Sequence, residues 1–261
     1  MKNFNFKSAS NAKEAAKLAS GRATFLAGGM SILPAMKLGL AAYSDLINIK
    51  KIKILSGIKV SSKSLRIGAT TTHAAVASSK EVGKSIPSLA VLADGIGDPQ
   101  VRNRGTIGGS IANNDPAADY PSACLALNAT IHTSKRKIPA DKFFKGMFET
   151  DLKKGELIES VEFEIPEKSA YAKFPNPASR YAVVGVYVAK LKNEVRVAVT
   201  GAASSVFRSK ELEASLSNNF SASAIDSVNI SSKGLNSDIH ASAEYRAHII
   251  KVMAKKAVSN C

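Results

Sequence analysis

The chain has 261 residues, 45% of them hydrophobic, enough for one large domain or two modest ones around a substantial apolar core, and no run of roughly eighteen apolar residues offers a membrane span. Cys124 and Cys261 are the whole thiol content, too little for a disulfide framework or for a cysteine-held zinc or iron–sulfur centre, so any such cluster belongs to a partner chain. A formal charge of +15 suits nucleic acid, an acidic protein surface or a phosphorylated cofactor, but the lysines are scattered and no Trp accompanies the dense groups at 50–53 and 135–137, which favours a solvated basic surface over a nucleic-acid site.

In chain order, SASNAKEAAKLAS (8–20) reads as an alanine-rich helix capped by a serine and stopped by Gly21. ATFLAGG (23–29) reads as a short strand running into a glycine pair, followed by a helix in SILPAMKLGLAA and a strand in DLINI, together a β-loop-α-β unit. LRIGATTTHAAVASS (65–79) passes from strand to helix, with Thr70–Thr72 as caps and His73 in the first turn, and capping is the preferred reading of all four residues. SIPSLAVLADGI continues as a mostly apolar helix. A loop over 102–121 comes next, then a helix near YPSACLALN and strands in ATIHTS and ELIESVEFEIP.

After Pro166 the texture changes. EKSAYAKFPNPASRYA leads into two β-rich runs around Lys192–Glu194, a hairpin signal, and a helix with KELEASL follows. A serine-rich connection at 221–242 precedes the last helix, in which Tyr245, Ile249, Val252 and Met253 share one face at core spacing. This places a domain boundary near residue 167. His73, His132, His240 and His248 are isolated from other ligand-type residues, so no metal site is expected. The opening segment lacks the uninterrupted apolar core of a secretory signal and suggests a cytoplasmic chain.

The pairs Gly28-Gly29 and Gly108-Gly109 each follow a short β-like run and precede a serine within two residues. Lacking Cβ, such a pair adopts positive φ and brings backbone N–H groups close to an anion, a diphosphate for example, while the serine hydroxyl adds a donor. Either pair alone most often marks a turn; two matched loops say more. Neither the P-loop pattern nor a G-x-G-x-x-G opening a helix is present, so a nucleotide here needs a different fold.

The ordered set AGGMS, QVRNRGTIGG, DPAADYP and KFPNPASRYAVVGV closely resembles the FAD-binding medium subunit of molybdenum hydroxylases, the carbon monoxide dehydrogenase and xanthine dehydrogenase type, over essentially the whole chain. The resemblance implies an α+β fold. It consists of an FAD-binding PCMH-type (vanillyl-alcohol oxidase-like) domain over 1–167, with α/β subparts of about 1–55 and 56–167, and a carbon monoxide dehydrogenase flavoprotein C-terminal domain over 168–261, with a three-stranded antiparallel sheet and a helical bundle. It implies FAD as cofactor, its diphosphate held by Phe25, Leu26, Ala27, Gly28, Gly29, Met30, Ser31 and Ile32 and by Thr106, Ile107, Gly108, Gly109 and Ser110. Ile96 would lie beside the cofactor, Asp119 hydrogen-bond to it, Ile158 sit against the flavin side, Lys173 near the ring system, and Tyr181 over the isoalloxazine.

A carboxylate repels phosphate, so Asp119 is better explained by ribityl or ribose hydroxyls, or by a place at a helix N-terminus. Asp115 before Pro116 reads mainly as turn structure, and Arg102 and Arg104 either neutralise phosphate or pin the loop by bonding carbonyls or carboxylates. Without the resemblance Lys173 reads as a solvent lysine and Tyr181 as a strand core aromatic. The chain departs from its relatives at Met30, Ser110, Asn113 and Asn114, which bears on the tuning of the flavin more than on its binding.

The implied setting is an oxidoreductase complex, a dimer of heterotrimers. A large subunit carries the molybdenum cofactor, a small one two [2Fe–2S] clusters, and this chain carries FAD for electron transfer without catalytic acid–base residues of its own. Two alternatives stand beside it: a self-contained flavin reductase of the same fold, and a basic binding module whose glycine loops are only turns.

Overall fold

The computed structural model describes the whole chain, Met1–Cys261. The first strands are β1 (Asn5–Ser8), β2 (Thr24–Leu26) and β3 (Asp45–Asn48), a parallel sheet in the order β1-β3-β2 with Phe6 opposite Leu46 and Phe25 opposite Ile47. Helix α1 (Ala12–Leu18) follows β1 and α2 (Ile32–Lys37) follows β2. The cap of α1 corrects the expected serine: Asn11 accepts the Glu14 N–H at 2.9 Å, because the Ser10 hydroxyl and N–H are both engaged by the Glu14 carboxylate. The helix has ended by Ala19, and Gly21, at φ 57°, makes the left-handed turn into β2 rather than the stop itself. Ala15, Ile47, Ile52 and Leu55 form a small core beneath this unit.

The middle of the chain contains β4 (Ile58–Val60), β5 (Ser64–Gly68), then α3 (His73–Ser78), α4 (Lys80–Ser85), α5 (Pro87–Asp94), α6 (Pro99–Arg104), α7 (Ile107–Asn113) and α8 (Tyr120–Ala126). It continues through β6 (Thr130–Thr133), β7 (Lys137–Pro139), α9 (Ala140–Phe143), the small hairpin β8 (Phe144–Gly146) and β9 (Glu149–Thr150), and β10 (Ile158–Glu164). Five strands form an antiparallel sheet in the order β4-β5-β10-β6-β7, with the helices packed over Leu65, Ile67, Val161 and Phe163 in the largest core.

The stretch 102–121, expected as a loop, is mostly helical. Asp98 caps α6 through the Val101 N–H at 2.8 Å with Pro99 in the first turn, and Thr106 caps α7 through the Gly109 N–H at 3.1 Å. Two capped starts within a few residues outweigh the low helix propensity of Gly108 and Gly109.

The last part is the antiparallel sheet β11 (Lys168–Pro175), β12 (Ala182–Lys190) and β13 (Val195–Thr200), extended by the two-residue β14 (Phe207–Arg208), with α10 (Lys210–Asn218) and α11 (Ala243–Ser259) on one face. Strand β12 is apolar almost throughout because both its faces are buried: Val184, Val186 and Val188 meet the helices, whereas Tyr187 and Ala189 enter the core of the middle part.

The face expected on α11 is corrected in part. Ile249 and Met253 are buried, but Tyr245 and Val252 are 44% and 38% exposed, since the stripe that meets the sheet runs through Ile250, Ala254, Ala257 and Val258. On that face the buried Arg246 donates to the carbonyls of Val183 at 2.6 Å and Gly201 at 3.0 Å and to Asp238 at 2.7 Å.

Substituting Arg246→Met keeps the apolar stem but leaves two buried carbonyls without a donor, at a cost of about 3 kcal/mol. Denaturant unfolding of the variant checks this: the midpoint falls, with the slope unchanged.

Candidate functional site

A cavity of about 530 Å³ opens where the three parts meet. The loop after β2 lines one side, with Phe25, Ala27, Gly28, Gly29, Met30, Ser31 and Ile32; the middle part supplies Ile96, Thr106, Gly108, Gly109, Ser110, Asp119 and Ile158; the β11–β12 turn adds Arg180 and Tyr181. Of the residues singled out in the sequence, Leu26, Ile107 and Lys173 do not line it. Leu26 lies in β2, Ile107 is fully buried in the core, and Lys173 reaches the wall only through its partners.

The first glycine loop is a set of free donors. The backbone N–H groups from Ala27 to Ile32 meet no acceptor within the chain, and Gly29 has φ 79°. A concave run of unpaired N–H groups beside a cavity is an anion nest. Gly28 has a separate reason to be glycine: a Cβ there would lie 2.0 Å from the Arg104 carbonyl oxygen and 2.9 Å from the Gly105 Cα. The loop therefore rests backbone-on-backbone against the end of α6.

The second pair behaves differently from the nest expected of it. Neither Gly108 nor Gly109 has positive φ, and their donors are committed: Ile107 N–H to Thr71 O at 3.1 Å, Gly108 N–H to Ala69 O at 2.9 Å and Gly109 N–H to the Thr106 hydroxyl at 3.1 Å. A Cβ on Gly108 would fall 2.5 Å from the Ala69 Cβ, so this glycine lets α7 lie against the end of β5. The segment lines the cavity with Thr106, Gly108, Gly109 and Ser110.

Asp119 is buried on the cavity wall, and its carboxylate is already taken. The Tyr171 hydroxyl donates to Oδ1, and Lys173 Nζ lies 3.1 Å from Oδ1 and 3.2 Å from Oδ2. Burial pushes the Asp119 carboxyl above its usual range, against the opposing pull of Lys173 and the Tyr171 hydroxyl. The side chain makes no helix-capping bond. Lys173 also donates to the carbonyls of Gly95 at 2.8 Å and Arg180 at 3.0 Å, tying the turn that carries Tyr181 to the end of α5. It is no free solvent lysine. Tyr181 is exposed at the cavity mouth and is not a core aromatic.

Arg102 pins the neighbouring loop, its Nη1 donating to Ile96 O at 3.1 Å and Gly97 O at 3.3 Å. Asp115 makes the expected turn, accepting the Ala117 N–H at 2.9 Å, and also lines the cavity.

Sequence reasoning passed over His73. Thr72 is the helix cap, accepting the Ala75 N–H at 3.3 Å, but the His73 imidazole is a buried part of the cavity wall, and its Nδ1 has no partner. Burial, with the Arg102 charge adding, holds its pKa down at about 4, so the ring is neutral near neutral pH. The one signal was indirect, a glycine at 105 whose missing side chain makes room for the ring.

The donor set fits an elongated dinucleotide: a nest of N–H groups for charge, and Phe25, Ile32, Ile96 and Ile158 with a tyrosine face for flat apolar rings. No helix is long and apolar enough to cross a membrane.

Comparisons with known proteins agree with that donor set. A family model described as "FAD binding domain in molybdopterin dehydrogenase" matches residues 2–168. The glyceraldehyde dehydrogenase medium chain of Sulfolobus acidocaldarius is 35% identical, the match covering 97% of this chain and 96% of that one. The carbon monoxide dehydrogenase medium chain of Hydrogenophaga pseudoflava is 38% identical over 71% of this chain and 69% of its own. A solved carbon monoxide dehydrogenase from Hydrogenophaga pseudoflava superimposes with a TM-score of 0.90 at 31% identity, covering 99% and 96% of the two chains.

Gly28→Ala forces the two backbones apart and lowers stability by about 1–3 kcal/mol. Gly83→Ala, in an exposed turn of α4 with nothing within 4 Å of the added methyl, raises it instead. Paired thermal melts of the two variants read out the opposite signs.

Proposed function

Because this chain belongs to the FAD-binding medium subunits of molybdenum hydroxylases, an oxidoreductase family, we propose that it is the electron-transfer subunit of such a complex. It takes electrons from [2Fe–2S] clusters of a small subunit and passes them to an external acceptor, while substrate is oxidised at a molybdenum cofactor on a large subunit. The observation that carries this reading is the acceptor-free run of N–H groups from Ala27 to Ile32, seated by Gly28 against a second segment on the rim of one cavity.

In this reading residues 1–167 are the FAD-binding domain, with subparts of about 1–55 and 56–167, and 168–261 the C-terminal domain; the family match ends at residue 168, beside the start of β11. Bound FAD supplies the ability to accept electrons singly and release them singly or in pairs. The chain's own residues bind and orient it. The loop Phe25–Ile32 would hold the diphosphate by backbone donors, with Thr106, Gly108, Gly109 and Ser110 as the facing wall. Ile96, Ile158 and Tyr181 would flank the ring system.

Lys173 and Asp119 act one step back. Their ion pair fixes the turn bearing Tyr181 and the carbonyl of Gly95, and so sets the width of the cavity mouth. In this reading partner subunits hold the clusters; the two cysteines here are free thiols, Cys124 buried in the core. Assembly as a dimer of heterotrimers in the cytoplasm completes the proposal.

The complex purified with this chain is expected to show flavin absorption at about 450 nm and to release FAD on acid treatment. A complex depleted of the chain still reduces its iron–sulfur clusters with substrate but loses turnover with an external acceptor. Undiminished turnover without this chain would overturn the assignment.

A further inference from the structure

We infer that His73 is a further cofactor-contacting residue of this cavity, its Nε2–H donating a hydrogen bond to the diphosphate that the Ala27–Ile32 loop receives. The inference rests on the flavin reading of the cavity.

His73 is only 5% exposed, yet it forms part of the cavity lining. A polar side chain is normally satisfied by protein or ligand, and Nε2 makes no bond to the chain; Nδ1, enclosed and also without a partner, is the lone-pair nitrogen of the proposed form. The backbone holds the ring firmly. The His73 N–H donates to Gly105 O at 3.0 Å and the Ile107 N–H to Thr71 O at 3.1 Å, flanking the bridge between Thr72 and Thr106.

The position follows from the glycines. A methyl on Gly105 would fall 2.6 Å from Nε2, and a methyl on Gly28 would fall 2.9 Å from the Gly105 Cα. Gly28, Gly105 and the imidazole therefore lie in succession, and all three residues line the same cavity. Both glycines clear side-chain volume from the path between the ring and the loop.

The chemistry selects the tautomer. A neutral imidazole offers one N–H and one lone pair; a lone pair aimed at a phosphate oxygen repels it, so an anionic ligand stabilises the form with the proton on Nε2. The ring adds a directed donor without adding a fixed charge. The nearby Arg102 does not substitute for it, because its guanidinium is engaged by the Ile96 and Gly97 carbonyls and Asp94. A packing role alone is the competing account, since the ring also lies 5.4 Å, centroid to centroid, from Tyr120.

The test uses the assembled complex carrying the full chain. Flavin release after dilution is followed by fluorescence, and the bound diphosphate by phosphorus NMR. His73→Leu keeps the volume without the donor; His73→Gln keeps a neutral N–H at similar reach. With the contact present, His73→Leu releases FAD about tenfold faster and shifts the diphosphate resonances, and His73→Gln restores most of both. Wild-type release with unshifted resonances in His73→Leu overturns the inference, as does equal impairment of both variants. Should His73→Leu fail to assemble, His73→Asn, whose amide is too short to reach, takes its place against His73→Gln with the same outcomes. A wild-type complex without flavin would instead sink the reading of the cavity itself.

Discussion

The contact on which the site depends is one of bare backbone on bare backbone, Gly28 against Arg104 and Gly105. It joins the first parallel unit to the helical middle part at van der Waals distance, and it does so beside the acceptor-free run of donors from Ala27 to Ile32. A side chain at residue 28 would widen the gap between the loops and turn the donors away from the wall that faces them. Gly105 is held in turn by its own bonds, its N–H to Val101 O at 2.7 Å and its carbonyl to the His73 N–H. The donors of the nest are therefore oriented before any ligand arrives, which lowers the ordering cost of binding.

The C-terminal sheet closes the other side by strand alternation. Along β11, Ala170 and Ala172 face the helices α10 and α11, so Tyr171 and Lys173 face the opposite way, toward Asp119. An isolated carboxylate in that position would be expensive to bury, and the ammonium and the phenol offset much of that cost. Because Lys173 also binds carbonyls from two other segments, the pair acts as a tie between α5, α8 and the turn bearing Tyr181. Electrostatics here serve geometry: charge is spent on holding the mouth of the cavity.

Much of this was legible in the residues, and the gaps have physical causes. The hairpin around Lys192–Glu194, the β-loop-α-β unit and the strand at 158–164 stand out because period or length leaves little choice. Strand β1 does not, since its four residues are all exposed and only pairing with β3 makes it a strand. Helix α7 was hidden by its two glycines and α6 by its shortness, because each helix is set by its cap, Asp98 or Thr106, and by tertiary packing rather than by propensity. The partners of Asp119 lie more than fifty residues along the chain, and no local pattern carries the information that Tyr171 and Lys173 reach it. His73 was obscured by a correct observation about its neighbour: Thr72 does cap the helix, and capping explains the threonine without accounting for the ring that follows.

Two identical dipeptides thus answer to different demands. Gly28-Gly29 needs one residue for close approach and one for positive φ, and it leaves its N–H groups free; Gly108-Gly109 needs close approach against Ala69 and leaves the donors of its turn occupied. Glycine in sequence reports only the absence of a side chain, and hydrogen-bond accounting in three dimensions decides what that absence is for. The ordered set of motifs nevertheless carries the resemblance, and two of its members meet in the fold, Gly28 against Arg104 and Gly105. A chain that kept each glycine but lost that order would keep the turns and lose the cavity.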